Sequence, residues 1–131
     1  MKRGPIPILK IGRTLITSVQ TELRDRTVDL FQQDILSMID STGARSLVID
    51  ISALDTLDTY VARMLTSTGK MARLMGARTV IVGMRPEVAA TLVRMGFPLK
   101  DLETALSLEE GLELVNQPVQ GVYPGKDRRE D

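Results

Sequence analysis

The sequence predicts an α/β protein, a single domain with a mixed β-sheet and alternating helices in the order β-β-α-β-α-β-α-β-α. Two short apolar runs, Leu47–Ile51 and Thr79–Val82, have the near-continuous hydrophobic character of strands buried on both faces of a sheet. Longer segments around them carry apolar residues every three or four positions, the period of an amphipathic helix. The length of 131 residues is that of one domain with one main core.

The first third of the chain predicts a hairpin followed by a helix. Residues 6–11 and 14–19 are apolar segments separated by a Gly-Arg pair, which favours two antiparallel strands. From about Thr21 the period changes to that of a helix, which ends at Gly43. The apolar face of this helix is formed by Val28, Phe31, Ile35 and Met38 or Ile39.

The remaining elements follow the two buried strands. A second helix is predicted over Asp58–Met75, and a third over Glu87–Met95, with Pro86 at a position that helix starts tolerate. A short edge strand is expected at Leu99–Leu102. Ser107 resembles the first residue of a capping box and predicts the start of a fourth helix.

The domain is expected to span residues 1–116, with 117–131 as a flexible C-terminal tail rich in Pro, Gly and charge. The N-terminal residues lack the apolar core of a signal peptide, and no apolar run reaches the length of a membrane span. We therefore expect a soluble cytoplasmic protein that does not contact the membrane.

The composition excludes several classes of function. The chain has no Cys, no His and no Trp, so thiol catalysis, a Ser-His-Asp relay and an ordinary zinc site are absent. Lys and Arg total 17 and Asp and Glu total 17, which disfavours nucleic-acid binding. No glycine-rich phosphate loop is found, so no cofactor is expected. A chain without net charge also favours self-association.

The most informative segment connects the first buried strand to the second helix and runs from Asp55 to Tyr60. Either Asp58 or Thr59 can serve as the N-cap of that helix. A hydroxyl at this place also lies in a field that favours a phosphate. An acidic pair for metal binding or acid/base chemistry could be drawn from Asp50, Asp55 and Asp58, but capping of the loop and the following helix is the favoured interpretation of these carboxylates.

A basic flank follows on the same helix. Together with Tyr60, the side chains of Arg63, Lys70 and Arg73 can form a docking surface or a solvated helix face. The pattern alone leaves both interpretations open.

The order of elements and three segments resemble the STAS domain family of bacterial anti-sigma factor antagonists. These segments are SLVIDIS, DTLDTYVARML and TVIVGMRPEVAATLVRMGF, within a resemblance that covers about residues 5–116. Within the family, the chain is similar to the RsbS-type stressosome branch. The family's marker is an Asp-Ser dipeptide at the start of the second helix, where a kinase phosphorylates the Ser. Here Asp58-Thr59 stands in its place. Either the kinase accepts a Thr, or the site is altered and is phosphorylated poorly.

The resemblance implies a phosphoprotein of stress-response signalling with no enzymatic activity. Thr59 is then the phosphorylation site, and the partner-binding residues are Asp55, Thr56, Asp58, Tyr60 and Arg63. The implied partners are a serine/threonine-kinase-fold switch protein, released on phosphorylation, and related STAS-domain sensors in a large co-assembly. A homo-oligomer is also expected.

Two other functions remain open at this stage. STAS domains of anion transporters suggest a regulatory domain that binds a small anion or a nucleotide. A carboxylate enzyme using Asp50, Asp55 and Asp58 is the third, although no His or readable Lys pairing supports it.

Overall fold

A computed structural model describes residues 6–20, 25–98, 100 and 102–117, and it confirms the predicted order of elements. The strands are β1 (Ile8–Ile11), β2 (Thr14–Ser18), β3 (Ser46–Asp50), β4 (Arg78–Val82) and β5 (Thr104–Ala105). The helices are α1 (Asp25–Thr42), α2 (Thr59–Leu74), α3 (Pro86–Arg94) and α4 (Leu108–Val115).

The five strands form one mixed sheet in the order β1-β2-β3-β4-β5. β1 and β2 pair antiparallel, as the predicted hairpin requires, and every other pair is parallel. In the centre, Leu47 of β3 lies opposite Leu15 of β2 and Thr79 of β4. The carboxyl ends of β3 and β4 therefore meet at one edge of the sheet, where α/β proteins commonly place their sites.

Both faces of the central strands are buried, which explains their continuous apolar sequence. Helices α1, α2 and α3 cover one face, and their apolar side chains pack with Leu15, Leu47, Ile49 and Ile81. Helix α4 covers the other face, where Leu112, Leu114 and Val115 pack on Val48, Val80 and Val82. The predicted apolar face of α1 is buried in the first of these two cores.

Arg78, the first residue of β4, connects this strand to α4 and to Glu103, the residue before β5. Its guanidinium donates two parallel hydrogen bonds to the Glu103 carboxylate, with Nε 2.9 Å from Oε1. Its Nη1 also donates to the carbonyl oxygens of Leu114 at 3.0 Å and Gln117 at 3.3 Å. The hydrogen bonds that Arg78 donates to Glu103 raise the pKa of Arg78 above its ordinary value, so the guanidinium stays charged.

The predicted edge strand was misplaced. Of Leu99–Leu102, the structure describes Lys100 and Leu102, and neither lies in a strand, whereas β5 pairs with β4 at Thr104–Ala105. The expected tail beyond Gln117 and the expected helix start near Thr21 lie outside the described residues. Among the described helices, none is both long and apolar enough to span a membrane.

Substitution by alanine at two helix glycines, Gly69 and Gly111, should change the free energy of unfolding in opposite directions. A Cβ at Gly111 of α4 would lie 2.5 Å from a methyl carbon of Val82, so the helix would be pushed off the sheet. A Cβ at Gly69 of α2 would meet Thr79 at 3.7 Å, an ordinary contact. We expect Gly111→Ala to lower the free energy of unfolding by about 1–3 kcal/mol. Gly69→Ala should raise it by up to about 1 kcal/mol.

Urea unfolding followed by circular dichroism measures both changes, and each variant serves as the control for the other. Equal effects of the two substitutions would show that α4 does not lie against β4 as described.

A second pair of variants tests a buried hydroxyl. The Oγ1 atom of Thr79 is buried with no hydrogen-bond partner among the described residues. The fully buried Thr68 instead donates to the Met64 carbonyl at 2.7 Å and accepts from Gln32 at 2.8 Å. We expect Thr79→Val to stabilise the fold by about 1 kcal/mol, because it removes an unpaired polar atom without changing the shape. Thr68→Val should cost about 1–2 kcal/mol in the same urea titration.

Candidate functional site

The loop from β3 to α2 is held to the body of the protein at both ends. At its start, the backbone N–H of Ile51 donates to the Val82 carbonyl at 2.9 Å. The N–H of Leu54 donates to the Ile51 carbonyl at 3.0 Å, which closes a turn. The side chains of Leu54 and Leu57 are buried in the core below the loop. These anchors fix where α2 begins.

A turn at the carboxyl ends of β3 and β4 supports the same loop. The carboxylate of Asp50 accepts from the backbone N–H of Ser52 at 2.8 Å. From the segment between β4 and α3, Nε of Arg85 donates to the Ser52 carbonyl at 2.9 Å. Gly83 lies against this turn, and a Cβ there would lie 2.8 Å from Cβ of Ser52. A residue without a side chain is therefore required at position 83.

Asp58 is the N-cap of α2. Its carboxylate accepts from the backbone N–H of Val61 at 2.9 Å, and its backbone is extended. The choice that the sequence left open is thereby settled, since Thr59 is the first residue of the helix. The side chain of Thr59 is exposed, and its hydroxyl donates to the sulfur of Met95 at 3.6 Å. A thioether is a weak acceptor, so this hydroxyl contributes little to stability.

Thr59 lies at the edge of a surface groove of about 700 Å³ between α2 and the segment that follows α3. We call this feature the α2 groove. It is lined by Thr59, Arg63, Thr66, Ser67, Lys70, Met95, Gly96, Phe97 and Pro98. Among these lining residues, Arg63 and Lys70 are charged. The groove therefore has basic side chains on α2 and an apolar wall formed by Met95–Pro98.

The structure brings together only some of the predicted site residues. Thr59 and Arg63 share the α2 groove, and Asp58 caps the helix beside them. Asp55 and Thr56 are exposed in the preceding loop. Tyr60 contacts a different neighbour, because its hydroxyl donates to Asp29 of α1 at 2.8 Å.

The structure supports the capping interpretation of two of the three carboxylates. Asp50 and Asp58 each accept a hydrogen bond from a backbone N–H, the role expected for a turn and a helix cap. Among residues 6–20, 25–98, 100 and 102–117, no three acidic side chains are grouped so that they could hold a metal ion.

The wall of the groove formed by Met95–Pro98 was not predicted as part of the site. This segment lies more than thirty residues after Thr59, and only the tertiary fold brings the two together. The one available signal was a Gly-Phe-Pro run directly after α3, which reads equally well as an ordinary helix end.

Comparisons with known proteins identify the fold and its relatives. The STAS domain family profile matches residues 5–111. RsbT co-antagonist protein RsbRA of Bacillus subtilis is 28% identical over 99 residues, which cover 76% of this chain and 35% of that protein. The chain thus spans about a third of this relative's length.

Two solved structures match over nearly their whole length. One is a Ser-to-Glu variant of RsbS from Moorella thermoacetica, with 37% identity and a TM-score of 0.76, covering 86% of this chain and 95% of that one. The other comes from a study of the molecular architecture of the stressosome, described as a signal integration and transduction hub. It has 38% identity and a TM-score of 0.73, covering 83% of this chain and 95% of that one.

Substitutions at Asp58 test its role as the cap. We expect Asp58→Ala to lower the free energy of unfolding by about 1 kcal/mol, because the N–H of Val61 loses its acceptor. Asp58→Asn should stay close to the parent protein, since Asn caps helices as well as Asp does.

The matched control is Asp55→Ala, which removes the same charge from an exposed loop position. Urea titration should show no loss for this variant. A loss as large as that of Asp58→Ala would mean that charge rather than capping governs the effect.

Proposed function

This chain belongs to the STAS domain family, and we propose that it is a non-enzymatic regulator of stress signalling of the stressosome type. In this proposal it holds a serine/threonine-kinase-fold partner and releases it when Thr59 is phosphorylated. The likeness to RsbS, with 37% identity over 95% of that chain, supports a role of this domain in a stressosome-type assembly. The lack of Cys and His in the sequence supports a role other than catalysis.

The observation that carries the proposal is the separation of roles at the start of α2. Asp58 caps the helix, while the neighbouring Thr59 exposes a hydroxyl whose hydrogen-bond partner among the described residues is the thioether of Met95. A kinase can therefore modify Thr59 without removing a contact on which the fold depends. The position also matches the Asp-Ser dipeptide of the family.

Charge explains why the modification would release a partner. A phosphate adds about −1.5 to −2 charges at neutral pH. Asp58 already carries a negative charge next to Thr59, and Asp55 lies shortly before it in the same loop. A partner packed over this surface would have to desolvate the new charge, at a cost of several kcal/mol. The helix dipole at the start of α2 tolerates the phosphate, so the domain stays folded.

The proposed binding surface consists of Asp55, Thr56, Asp58, Tyr60 and Arg63, around the modified residue. Co-assembly with related STAS-domain proteins in a large cytoplasmic complex is supported by the likeness to a stressosome component. The absence of net charge supports self-association as well.

A small-anion or nucleotide ligand is the second candidate. The α2 groove supports it, because Arg63 and Lys70 line it together with the hydroxyls of Thr66 and Ser67. Thermal shift with ATP, GTP and sulfate separates the two candidates. Stabilisation that rises with ligand concentration and is lost in Arg63→Gln would favour the ligand-binding function.

Phosphate mapping tests the switch residue. After incubation with the kinase-fold partner and ATP, mass spectrometry should find the phosphate on Thr59 and none in Thr59→Ala. Thr59→Ser should be modified at least as fast, because it lacks the methyl group that crowds the phosphoryl donor. Phosphate on Ser52 or Thr56 with Thr59 unmodified would contradict the assignment.

Binding measurements test the direction of the switch. Thr59→Asp should weaken partner binding, measured by calorimetry, while its far-ultraviolet circular dichroism spectrum shows an unchanged fold. Thr59→Ala should still bind the partner. The control is Thr104→Asp, which places the same charge on another exposed threonine, in β5. Equal weakening by both aspartates would show that net charge, not the site, matters.

A further inference from the structure

Arg63 stands one helical turn after Thr59 on the same wall of the α2 groove. Its side chain is exposed, and no described carboxylate forms an ion pair with it. None of the described residues that line the groove carries a carboxylate, so the five N–H donors of the exposed Arg63 guanidinium are available to an anion.

Helix geometry places the side chain of Arg63 near Thr59, the residue proposed to be modified. Residues at i and i+4 have Cβ atoms about 5–6 Å apart on a helix surface. Helical side chains lean toward the N-terminus, so that of Arg63 leans back over the turn that begins at Thr59. An anion that precedes a cation by four residues is also the favoured orientation for such a pair.

We propose that Arg63 is the counter-ion of the phosphate on Thr59, holding it against the wall of the α2 groove through paired hydrogen bonds from the guanidinium. This inference rests on the proposed phosphorylation of Thr59 and adds the residue that receives the phosphate. It assigns Arg63 a positioning role within this chain, beyond contact with a partner.

The pairing gives the switch a second consequence. Phosphorylation replaces the hydroxyl proton that Thr59 donates to Met95, so that contact is lost and the side chain turns toward Arg63. The phosphate then adds about −1.5 to −2 charges beside Arg63, which lines the α2 groove. A partner that met an exposed guanidinium meets one that is paired with a phosphate.

The groups around the phosphate are few. On α2 it faces Arg63, and the carboxylate of Asp58 is the adjacent negative charge, held at the helix cap. In the preceding loop, Asp55 is the nearest further charge along the chain. The opposite wall, Met95–Pro98, contributes no charged side chain. Among the described residues, Arg63 is therefore the cation expected to act most strongly on the titration of this phosphate.

The test uses full-length protein with phosphothreonine incorporated at position 59 during synthesis, titrated by phosphorus NMR. A cation beside the phosphate favours its dianion and lowers its second pKa, which is about 6 in the free residue. We expect Arg63→Gln to raise that pKa by about 0.7 unit, a roughly fivefold higher proton affinity, as for one charge about 4 Å away in water. Arg63→Lys should restore most of the shift.

The matched control is Lys70→Gln, which removes one positive charge from the same groove. Lys70 lies about 16 Å along the helix from Thr59, beyond the screening length at physiological salt. It should move the phosphate pKa by less than about 0.2 unit. No shift in Arg63→Gln, or an equal shift in both variants, would overturn the pairing.

This result is independent of any kinase, because the phosphate is installed during synthesis. Failure of the partner kinase to modify Thr59 would count against the proposed function alone. Failure of Arg63→Gln to shift the titration would count against the pairing alone.

Discussion

The site at the start of α2 depends on the close approach of Gly83 to the turn that ends β3. Gly83 has a φ of +77°, and a Cβ there would lie 2.9 Å from the carboxylate of Asp50 and 2.8 Å from Cβ of Ser52. Since no side chain intervenes, the turn can lie directly on the end of β4, where Arg85 donates to the Ser52 carbonyl. The position of the following loop, and hence of Thr59, follows from this contact.

Under the proposed function, stability and signalling fall to different residues of the same short segment. Leu54 and Leu57 anchor the loop in the core, and Asp58 satisfies the end of the helix. The Thr59 hydroxyl has none of these tasks, because the sulfur of Met95 is its hydrogen-bond partner among the described residues. A change of charge at this hydroxyl would therefore alter the surface while the structural contacts persist. Such a separation would suit the proposed switch, in which affinity for a partner changes and the fold does not.

Features encoded in local sequence were predictable, whereas those decided by tertiary contact were not. Hydrophobic period identified α1 and α2, and near-continuous apolar runs identified β3 and β4. Turn and capping signals located the hairpin of β1 and β2 and the helices α3 and α4. Two-residue β5 was misplaced, because a strand that short has no period of its own and is defined by pairing with β4. The cap was ambiguous between Asp58 and Thr59, since either side chain can accept the hydrogen bond and the backbone decides. The Met95–Pro98 wall of the α2 groove was missed because this segment is far from Thr59 in the sequence and only the tertiary fold brings the two together.

Thr59 departs from the Ser of the family's Asp-Ser pattern, but a threonine favours the proposed pairing with Arg63. A β-branched side chain on a helix has fewer χ1 rotamers than serine, so its oxygen is confined to fewer directions. In the proposed switch, the methyl group that crowds an incoming phosphoryl donor would thus also lower the entropy lost when the phosphate is fixed beside Arg63. Slower phosphorylation and a more firmly held phosphate would both follow from the same branched carbon. Their balance would then set how sharply the proposed switch responds.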